Sequence, residues 1–263
     1  MKTLLLAGGA AALLALATPA AEAALVLSGG TAGTIPGASV SNEALRPVAS
    51  GGLGFTNPTG GFYGAEVRTT EAGTLTFEFL GFDAGANNVF TVTGGGSFST
   101  NGYRALPGNA GVVTRFDPAG LLASFTLGVG AGTTLVPFGF TSDIEAPMLG
   151  VSNGSNPVEP ALPDYALNFF ATFNGPGSLA GDGGRAGDAL YLFLDDTGGT
   201  QLVRQGRRSV RVRDDDNHDD MVIRISFTPA PPVGVPEPAT LGLLGAGLAG
   251  FGLARFVRRR RRG

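Results

Sequence analysis

The sequence predicts an all-β fold, a single β-sandwich or jelly-roll-like domain, on the strength of three observations. Short segments alternate apolar with polar residues, glycine and asparagine steps separate them, and no long helical stripe of apolar residues stands between the two ends of the chain. Glycine takes 44 of the 263 positions without the every-third-residue period of collagen. Such a glycine content favours turn-rich β structure.

Alternation is clearest from Thr74 to Leu80, where Leu75, Phe77 and Phe79 face one way and the polar residues between them face the other. This pattern is typical of a half-buried strand. Similar alternation predicts strands at 167–173, 190–194 and 221–227, and weaker ones at 89–93, 112–116, 122–129 and 209–213. The turn signals between them, which favour positive φ, are Gly94-Gly95-Gly96, Asn101-Gly102, Asn153-Gly154, Asn174-Gly175 and Asp182-Gly183-Gly184.

Several prolines and weak alternation mark residues 143–163, which we interpret as a long loop. The alternative is a boundary between two small domains. We favour one domain over residues 24–228, because a body of this length can bury a core and neither half would hold many core strands.

The first 23 residues predict a secretory signal peptide. Lys2 gives a positive start, residues 4–17 form an apolar core, and Ala21 and Ala23 supply the small residues of a cleavage box for signal peptidase. An uncleaved anchor is disfavoured because the apolar stretch is short and Pro19 follows it.

The other end contains three elements in series. Residues 229–238 form a proline-rich stalk ending in Pro236-Glu237-Pro238, which stays extended because proline fixes φ and restricts the residue before it. Residues 239–257 carry one charge, and as a helix they reach about 28 Å, the hydrocarbon thickness of a bilayer. They predict a single transmembrane helix. The tail at 258–263 predicts a cytoplasmic end through its arginines Arg258, Arg259, Arg260, Arg261 and Arg262.

This order of a Pro-Glu-Pro box, a span and an arginine cluster in residues 235–263 resembles the PEP-CTERM sorting signal of Gram-negative bacteria. The resemblance implies that an exosortase, a membrane-embedded processing enzyme, recognises Pro236, Glu237 and Pro238 and removes the helix. The inner membrane then holds the precursor only transiently, before export to the cell surface or extracellular matrix. It also implies an association with exopolysaccharide. The alternative is an ordinary single-span anchor that is never cut.

The amino-acid composition of the chain limits the classes of partner that it can bind. Without the two terminal segments and Glu237, eleven arginines face nineteen acids, so the mature body has a net charge near −8 and no lysine. This balance argues against nucleic acid or anionic lipid as a partner and is compatible with divalent cations. The chain has no cysteine, which excludes disulfides and thiol chemistry.

Acidic residues are concentrated in the segment 214–220. We interpret this segment as the loop of a hairpin between the predicted strands at 209–213 and 221–227. A second acidic pair follows the strand at 190–194, and neighbouring strands of one sheet can bring both turns to the same edge. Like charges at this density need neutralisation. A calcium ion, which binds oxygen ligands, is one source of the positive charge that neutralises them. The other is the arginine set Arg204, Arg207, Arg208, Arg211 and Arg213.

The span 191–227 also resembles a β-sandwich segment of PEP-CTERM and other bacterial surface proteins, in which an Asp-rich stretch forms a calcium loop. The ligands that this resemblance implies are Asp195, Asp196, Asp214, Asp215, Asp216, Asn217, Asp219 and Asp220. His218 stands where an aromatic residue is common, and the EF-hand glycine and terminal glutamate are missing. Calcium is the only cofactor expected, and the alternative is a solvated or arginine-paired acidic turn.

We predict no catalytic residue. His218 is the only histidine, and no cysteine or G-x-S-x-G serine is present for it to activate. We interpret His218 as a surface residue of the acidic loop. A glycosidase-type pair drawn from Glu66, Glu71, Glu78 and Glu145 stays open.

With the resemblance, these features predict a non-catalytic structural or adhesion protein of the surface or matrix. Its partners are signal peptidase and exosortase during processing, and extracellular polysaccharide or other matrix proteins afterwards. The alternative is a secreted hydrolase, or a lectin-like module that binds matrix glycans. A hydrolase predicts acids that converge in a cleft, whereas the structural role predicts acids confined to turns.

Overall fold

The computed structural model of the protein describes residues 24–35, 42–119, 122–144, 147–158, 167–176, 183–187, 189–196, 201–205, 208–212, 217–231 and 247. Within these ranges the chain is all-β and its strand pairs are antiparallel, as the sequence predicts. The signal peptide and the Pro-Glu-Pro box lie outside the described residues, as does the predicted span apart from Gly247. None of the helices among the described residues has the length and apolar character that a bilayer crossing requires.

The described strands, in chain order, are β1 (Leu25–Ile35), β2 (Thr59–Thr69), β3 (Gly73–Asp83), β4 (Asn88–Val92), β5 (Ser97–Ser99), β6 (Thr114–Phe116), β7 (Ala123–Val129), β8 (Thr134–Leu135), β9 (Phe138–Ser142), β10 (Leu149–Ser152), β11 (Asn168–Thr172), β12 (Ala186–Gly187), β13 (Ala189–Asp195), β14 (Gln201–Gln205), β15 (Arg208–Val212) and β16 (Met221–Pro229). One short helix, α1 (Thr100–Arg104), and two 3₁₀ turns, Glu43–Leu45 and Val48–Ser50, complete the described elements.

The strands form three sheets. The large sheet has ten strands in the order β12-β1-β2-β11-β13-β16-β3-β6, with β7 also paired to β3 and β8 to β2. A four-stranded sheet runs β10-β9-β4-β5, and β14 and β15 form a separate hairpin. The neighbouring strands β11 and β13 lie inside the large sheet and are buried along almost their whole length.

The large sheet buries both of its faces. Its inner face packs against the four-stranded sheet through a phenylalanine-rich cluster centred on Phe90, which is fully buried. The Phe90 ring lies 5.0 Å from Phe140, 5.5 Å from Phe138 and 5.8 Å from Phe77, centroid to centroid. These spacings suit attractive aromatic contacts, so one aromatic core joins the two sheets.

The outer face of the large sheet is covered by the segment 42–55. Leu45, Leu53 and Phe55 of this segment are buried against Tyr191 and Phe193 of β13. The Phe55 ring meets both aromatic rings edge-on with centroids 5.0 Å apart. The fold is thus sandwich-like, with a third layer on the outer face of the large sheet.

Strand β3 follows the predicted alternation, with Leu75, Phe77 and Phe79 buried on the inner face. On the opposite face, Glu78 accepts hydrogen bonds from Arg224 of β16 through Nε at 2.5 Å and Nη2 at 2.6 Å. Such a bidentate pair between directly opposite residues helps to hold the register of the two strands.

A bulge interrupts the same strand pair, between Val222 and Ile223 of β16. Gly81 lies opposite Val222 with φ of 152°, and a Cβ there would stand 2.3 Å from the carbonyl oxygen of Arg115. Only glycine fits this position. The bulge bends the pair just where β16 begins, and Asp83 N donates to the carbonyl of Asp219 at 2.8 Å.

The structure confirms the predicted strands at 74–80, 167–173, 190–194 and 221–227, and the weaker ones match β4, β6, β7 and β15. Two interpretations are wrong. The region 143–163 is not wholly a loop, because β10 lies within it and pairs with β9. The acidic segment is not the loop of a hairpin between β15 and β16, because β15 pairs with β14, whereas β16 pairs with β13 and β3.

The aromatic core gives a first prediction. We expect Phe90→Ala to lower the free energy of unfolding by about 3–5 kcal/mol, because it opens a cavity between two sheets. Urea unfolding of the purified protein measures the change. Val113→Ala, at a side chain that is 54% exposed, is the control and should change stability by no more than about 0.5 kcal/mol. Equal effects of the two substitutions would contradict the assigned core.

Candidate functional site

The four acids nearest to the paired ends of β13 and β16 lie together. Leu194 and Met221 are direct partners in the antiparallel pair, so the residues that follow β13 face those that precede β16. Asp220 N donates to the carbonyl of Leu194 at 3.2 Å, which extends the pairing by one step. The exposed fractions of these acids are small: Asp195 0%, Asp196 1%, Asp219 0% and Asp220 5%.

Asp220, Asp196 and Asn88 form what we call the inner half of the cluster, on the side of the four-stranded sheet. Asp220 Oδ2 accepts a hydrogen bond from the backbone N–H of Asp196 at 2.7 Å. Asn88 Nδ2 donates to Asp196 Oδ2 at 2.8 Å and to the carbonyl of Asp220 at 3.4 Å. One amide thus reaches both acids.

Asn88 is positioned by its own strand and by a buried threonine. It is the first residue of β4, it is fully buried, and its N–H donates to Thr100 Oγ1 at 3.1 Å. The Thr100 hydroxyl donates in turn to the carbonyl of Ala86 at 2.9 Å. These bonds fix the start of β4 beside the acids.

Asp219, Asn42 and Ala44 form the outer half, on the side of the segment 42–55. Asp219 Oδ2 accepts a hydrogen bond from the N–H of Ala44 at 3.0 Å. The Asn42 amide satisfies both of its neighbours when its Nδ2 donates to Asp219 Oδ2 and its Oδ1 accepts from the N–H of His218, each at 3.1 Å. Both donors meet Asp219 Oδ2, whereas Asp219 Oδ1 is buried and has no hydrogen-bond partner among the described residues.

His218 is fully buried, so its interpretation as a surface residue is wrong. Its Nε2 lies 3.1 Å from Asn168 Oδ1, and its ring meets Tyr63 and Phe170 edge-on with centroids 5.4 and 6.3 Å away. Tyr63 and Phe170 belong to the outer apolar cluster. His218 therefore packs on the same side of the large sheet as the segment 42–55.

Adjacent residues Asp219 and Asp220 therefore serve opposite faces of the large sheet. Asp219 is bonded to Ala44 of the segment 42–55, whereas the carbonyl of Asp220 accepts a hydrogen bond from Asn88 of the four-stranded sheet. The dipeptide touches all three layers of the fold.

Burial raises the pKa values of both acids. For Asp219, desolvation is the largest cause, and with the nearby carboxylates of Asp83 and Glu43 it raises the pKa from 3.8 to about 8, against the hydrogen bond from Ala44. For Asp220, desolvation and the charges of Asp196 and Asp195 raise the pKa well above the usual value. A neutral carboxyl or a bound cation relieves this strain.

The inner half offers the donors that a hard cation takes. The side-chain amide of Asn88 donates through its nitrogen to Asp196. Its oxygen, Oδ1, is buried and has no hydrogen-bond partner among the described residues. Carboxylate, amide and carbonyl oxygens are calcium ligands. The part of the chain that the structure describes contains no group of three His, Cys, Asp or Glu side chains suited to a metal.

The other predicted site residues have separate outcomes. Asn217 is half-buried and precedes His218 next to the cluster. The remaining predicted site residues lie outside the described residues: Asp214, Asp215, Asp216, Ala21, Ala23, Pro236, Glu237, Pro238 and Arg258 to Arg262. The prediction that two acidic turns meet at one sheet edge is confirmed for the four described aspartates. The solvated alternative is wrong for them, because they are buried.

Two of the four glutamates of the hydrolase alternative are engaged in ion pairs. Glu66 accepts hydrogen bonds from Arg68 at 2.7 and 3.0 Å, and Glu78 is paired with Arg224. Glu145 lies outside the described residues. A pocket of about 520 Å³ on the four-stranded sheet is lined by hydroxyl-bearing, glycine and apolar residues, and another of about 300 Å³ by aromatic and apolar residues with two serines. Neither pocket has a carboxylate in its lining.

Sequence reasoning missed Asn88, Asn42 and Asn168. Each is an asparagine at the edge of an element and far along the chain from the acids that it meets. The pattern around them indicates only turns or strand ends, so no local signal distinguishes them.

Comparison of the chain with protein-family models, with curated proteins and with solved structures finds no match. Function is therefore argued from the residues and from the geometry of this cluster.

The raised pKa of Asp219 predicts how stability depends on pH. In the unfolded chain the carboxyl ionises near 3.8, whereas in the folded protein it keeps its proton to about 8. The stabilisation is present below pH 3.8 and is lost as pH rises towards 8, at about 1.4 kcal/mol per pH unit for one such group. Urea unfolding from pH 4.5 to 7.5 with a chelator present measures this slope.

Asp219→Asn is the control for that slope, because it removes this titration and leaves the other ionisable side chains that face the site, which are Glu43, Asp83, His218 and the acids of the inner half. We expect a shallower fall of stability with pH in the variant. A wild-type protein whose stability rises across this range would contradict the assignment.

Proposed function

We propose that this chain is an exported, exosortase-sorted and non-catalytic structural or adhesion protein of the cell surface or exopolysaccharide matrix, and that calcium braces its sandwich-like body. The single observation that supports the brace is the buried cluster of four aspartates at the junction of three layers. The sorting rests on the resemblance of residues 235–263 to a PEP-CTERM signal.

Export is consistent with the way the body is built. The chain has no cysteine, so a protein outside the cell needs cross-bracing other than disulfides. Extracellular calcium is a suitable brace, because extracellular modules bind it at concentrations of about 10⁻⁴ to 10⁻³ M. A cluster of buried acids costs stability without a cation and adds stability with one.

A structural role fits the acids better than hydrolysis does. Glycosidases place two carboxyl groups about 5 to 9.5 Å apart on either side of a substrate cleft. Here Glu66 pairs with Arg68 of the same strand and Glu78 pairs with Arg224 of the neighbouring strand β16. The clustered aspartates are buried rather than open to a polymer. A lectin-like module that binds matrix glycans is the remaining alternative, and a glycan array would reveal it.

Processing at the Pro-Glu-Pro box is the first prediction of this proposal. In cells that express an exosortase, we expect mass spectrometry of the exported protein to show loss of the arginine cluster at 258–262. Replacing Pro236, Glu237 and Pro238 by alanine should leave the full C-terminal segment attached to a membrane-bound product, because the recognition sequence is gone.

The matched control replaces Pro231 and Pro232 of the same stalk by alanine, which should leave processing unchanged. An extracellular product that still carries the arginine cluster would refute the sorting proposal.

Calcium should stabilise the purified protein. At a calcium concentration about 100-fold above Kd, we expect the melting temperature to rise by roughly 5 to 10 °C relative to the protein with a chelator. Differential scanning calorimetry measures the shift, and magnesium at the same concentration is the control, since it gives up its water ligands reluctantly. Identical melting with millimolar calcium and with chelator would end the calcium part of the proposal.

A further inference from the structure

We propose that two copies of this chain join through the free edge of β7, so that their large sheets form one continuous antiparallel sheet. The inference goes beyond the proposed function and requires neither calcium nor the sorting signal. It rests on the unpaired edge of this strand, on its lack of charge and on the half-covered apolar side chains beside it.

The edge of β7 is open along the whole strand. β7 pairs with β3 from Ala123 opposite Phe79 to Val129 opposite Gly73, and no described strand pairs with its other side. No backbone hydrogen bond from elsewhere in the described ranges reaches it either. Alternate residues of an antiparallel strand direct their N–H and C=O groups to opposite sides, so about half of the residues of β7 offer both groups to a new strand.

This edge lacks the features by which sheets avoid pairing with other chains, which are charged side chains, prolines, bulges and short strands. The opposite edge of the large sheet has them: β1 contains Gly29 and Gly30 with φ of 66° and 72°, and Arg185 Nη1 donates to the carbonyl of Gly29 at 2.6 Å. β6 has three residues and includes Arg115. In contrast, β7 has seven residues in continuous register and contains no charged residue or proline.

A wide uncharged stretch of sequence surrounds this edge. The chain has no charged residue between Asp117 and Asp143, a stretch that includes β7, and none between Asp83 and Arg104, a stretch that includes β4 and β5. Because the mature body is acidic, two copies repel one another in most orientations. They can approach through β7 without placing like charges opposite each other, which favours a second copy as the occupant of this edge.

The sequence of β7 is self-complementary about Thr126. When two identical strands pair antiparallel about this residue, Thr126 lies opposite Thr126, Phe125 opposite Leu127, and Ser124 opposite Gly128. Apolar residues then meet on the inner face, and small residues meet on the outer face. Such a two-fold interface is closed, so it gives a dimer rather than a fibre.

The inner-face side chains of β7 are only partly covered. Phe125 packs on Phe98 and Phe77 with ring centroids 4.7 and 5.2 Å away, yet Phe125, Leu127 and Val129 remain half-buried at the rim of the aromatic core. A largely apolar pocket of about 300 Å³ adjoins this rim, between β5 and the start of β7. In the two-fold pair both cores lie on the same side of the joined sheet. Association therefore covers apolar surface in addition to forming backbone hydrogen bonds.

Thr126→Lys tests the proposal, because it places two like charges opposite each other at the centre of the pair. Purified full-length protein is studied by sedimentation velocity with a chelator present, at concentrations up to about 500 µM, since a small interface associates weakly. We expect the wild-type protein to dimerise and Thr126→Lys to weaken the dimer by about fivefold or more.

Thr91→Lys is the matched control. Thr91 is also exposed and the chemical change is the same, but its strand β4 is paired on both sides. Thr91→Lys should leave the dimer affinity within about twofold of the wild-type value, since exposed positions away from an interface tolerate such changes. Both variants should melt within about 3 °C of the wild-type protein at low concentration, because both side chains are exposed.

A charge exchange separates repulsion at the interface from damage to the fold. Thr126→Glu alone should dimerise as poorly as Thr126→Lys, because like charges again face each other. An equal mixture of the two variants should form a mixed dimer, because opposite charges then lie opposite one another. Native mass spectrometry distinguishes the mixed dimer from both homodimers by mass.

Hydrogen exchange locates the interface. Raising the concentration of the wild-type protein should slow exchange of the β7 amides and leave those of β10, an edge strand of the four-stranded sheet, unchanged. A wild-type protein that stays monomeric over the whole concentration range overturns the proposal. A dimer that Thr126→Lys leaves intact, or that forms without slowing β7 exchange, overturns the assignment of its interface.

Discussion

The cost of burying carboxyl groups is the constraint on which this fold depends. Asp219 and Asp220 stand side by side at the start of β16, and desolvation raises the pKa of each. Transfer of an ionised carboxylate out of water is so unfavourable that the group must gain a proton, hydrogen bonds or a cation. Here Asp219 takes N–H donors from one layer and Asp220 takes partners from another. Satisfying the two acids thereby brings the layers together at one point.

The rest of the architecture follows from where β16 runs. It lies between β13 and β3 in the large sheet, and its side chains alternate between the aromatic core and the outer cluster. The register shifts between Val222 and Ile223, where Gly81 of β3 lies opposite Val222. The acidic dipeptide that precedes β16 contacts Asn88 of β4 and Ala44 of the segment 42–55. Apolar packing supplies most of the stabilisation, and the acids add hydrogen bonds between the layers.

Sequence patterns predicted the strands that bury one face or both with large side chains, such as β3, β13 and β16, because period-two alternation is local. They missed β1 and β2, whose glycines are typical of turns. The reason is non-local: a Cβ at Gly33 would stand 2.4 Å from the ring of Tyr63, so the aromatic side chain of β2 covers the backbone of β1. The meeting of the acidic turns was predictable from strand adjacency. The role of Asn88 was not, because it lies 108 residues away from Asp196.

The hairpin of β14 and β15 has a further consequence. Among the described strands these two pair only with each other, and the chain leaves the large sheet after β13 and returns to it at β16. The buried aspartates lie at both ends of this segment, so its length does not set the register of the large sheet. Lengthening a loop whose ends are fixed adds only a small entropic penalty. An insertion between β13 and β16 is accordingly expected to leave the register of that strand pair unchanged.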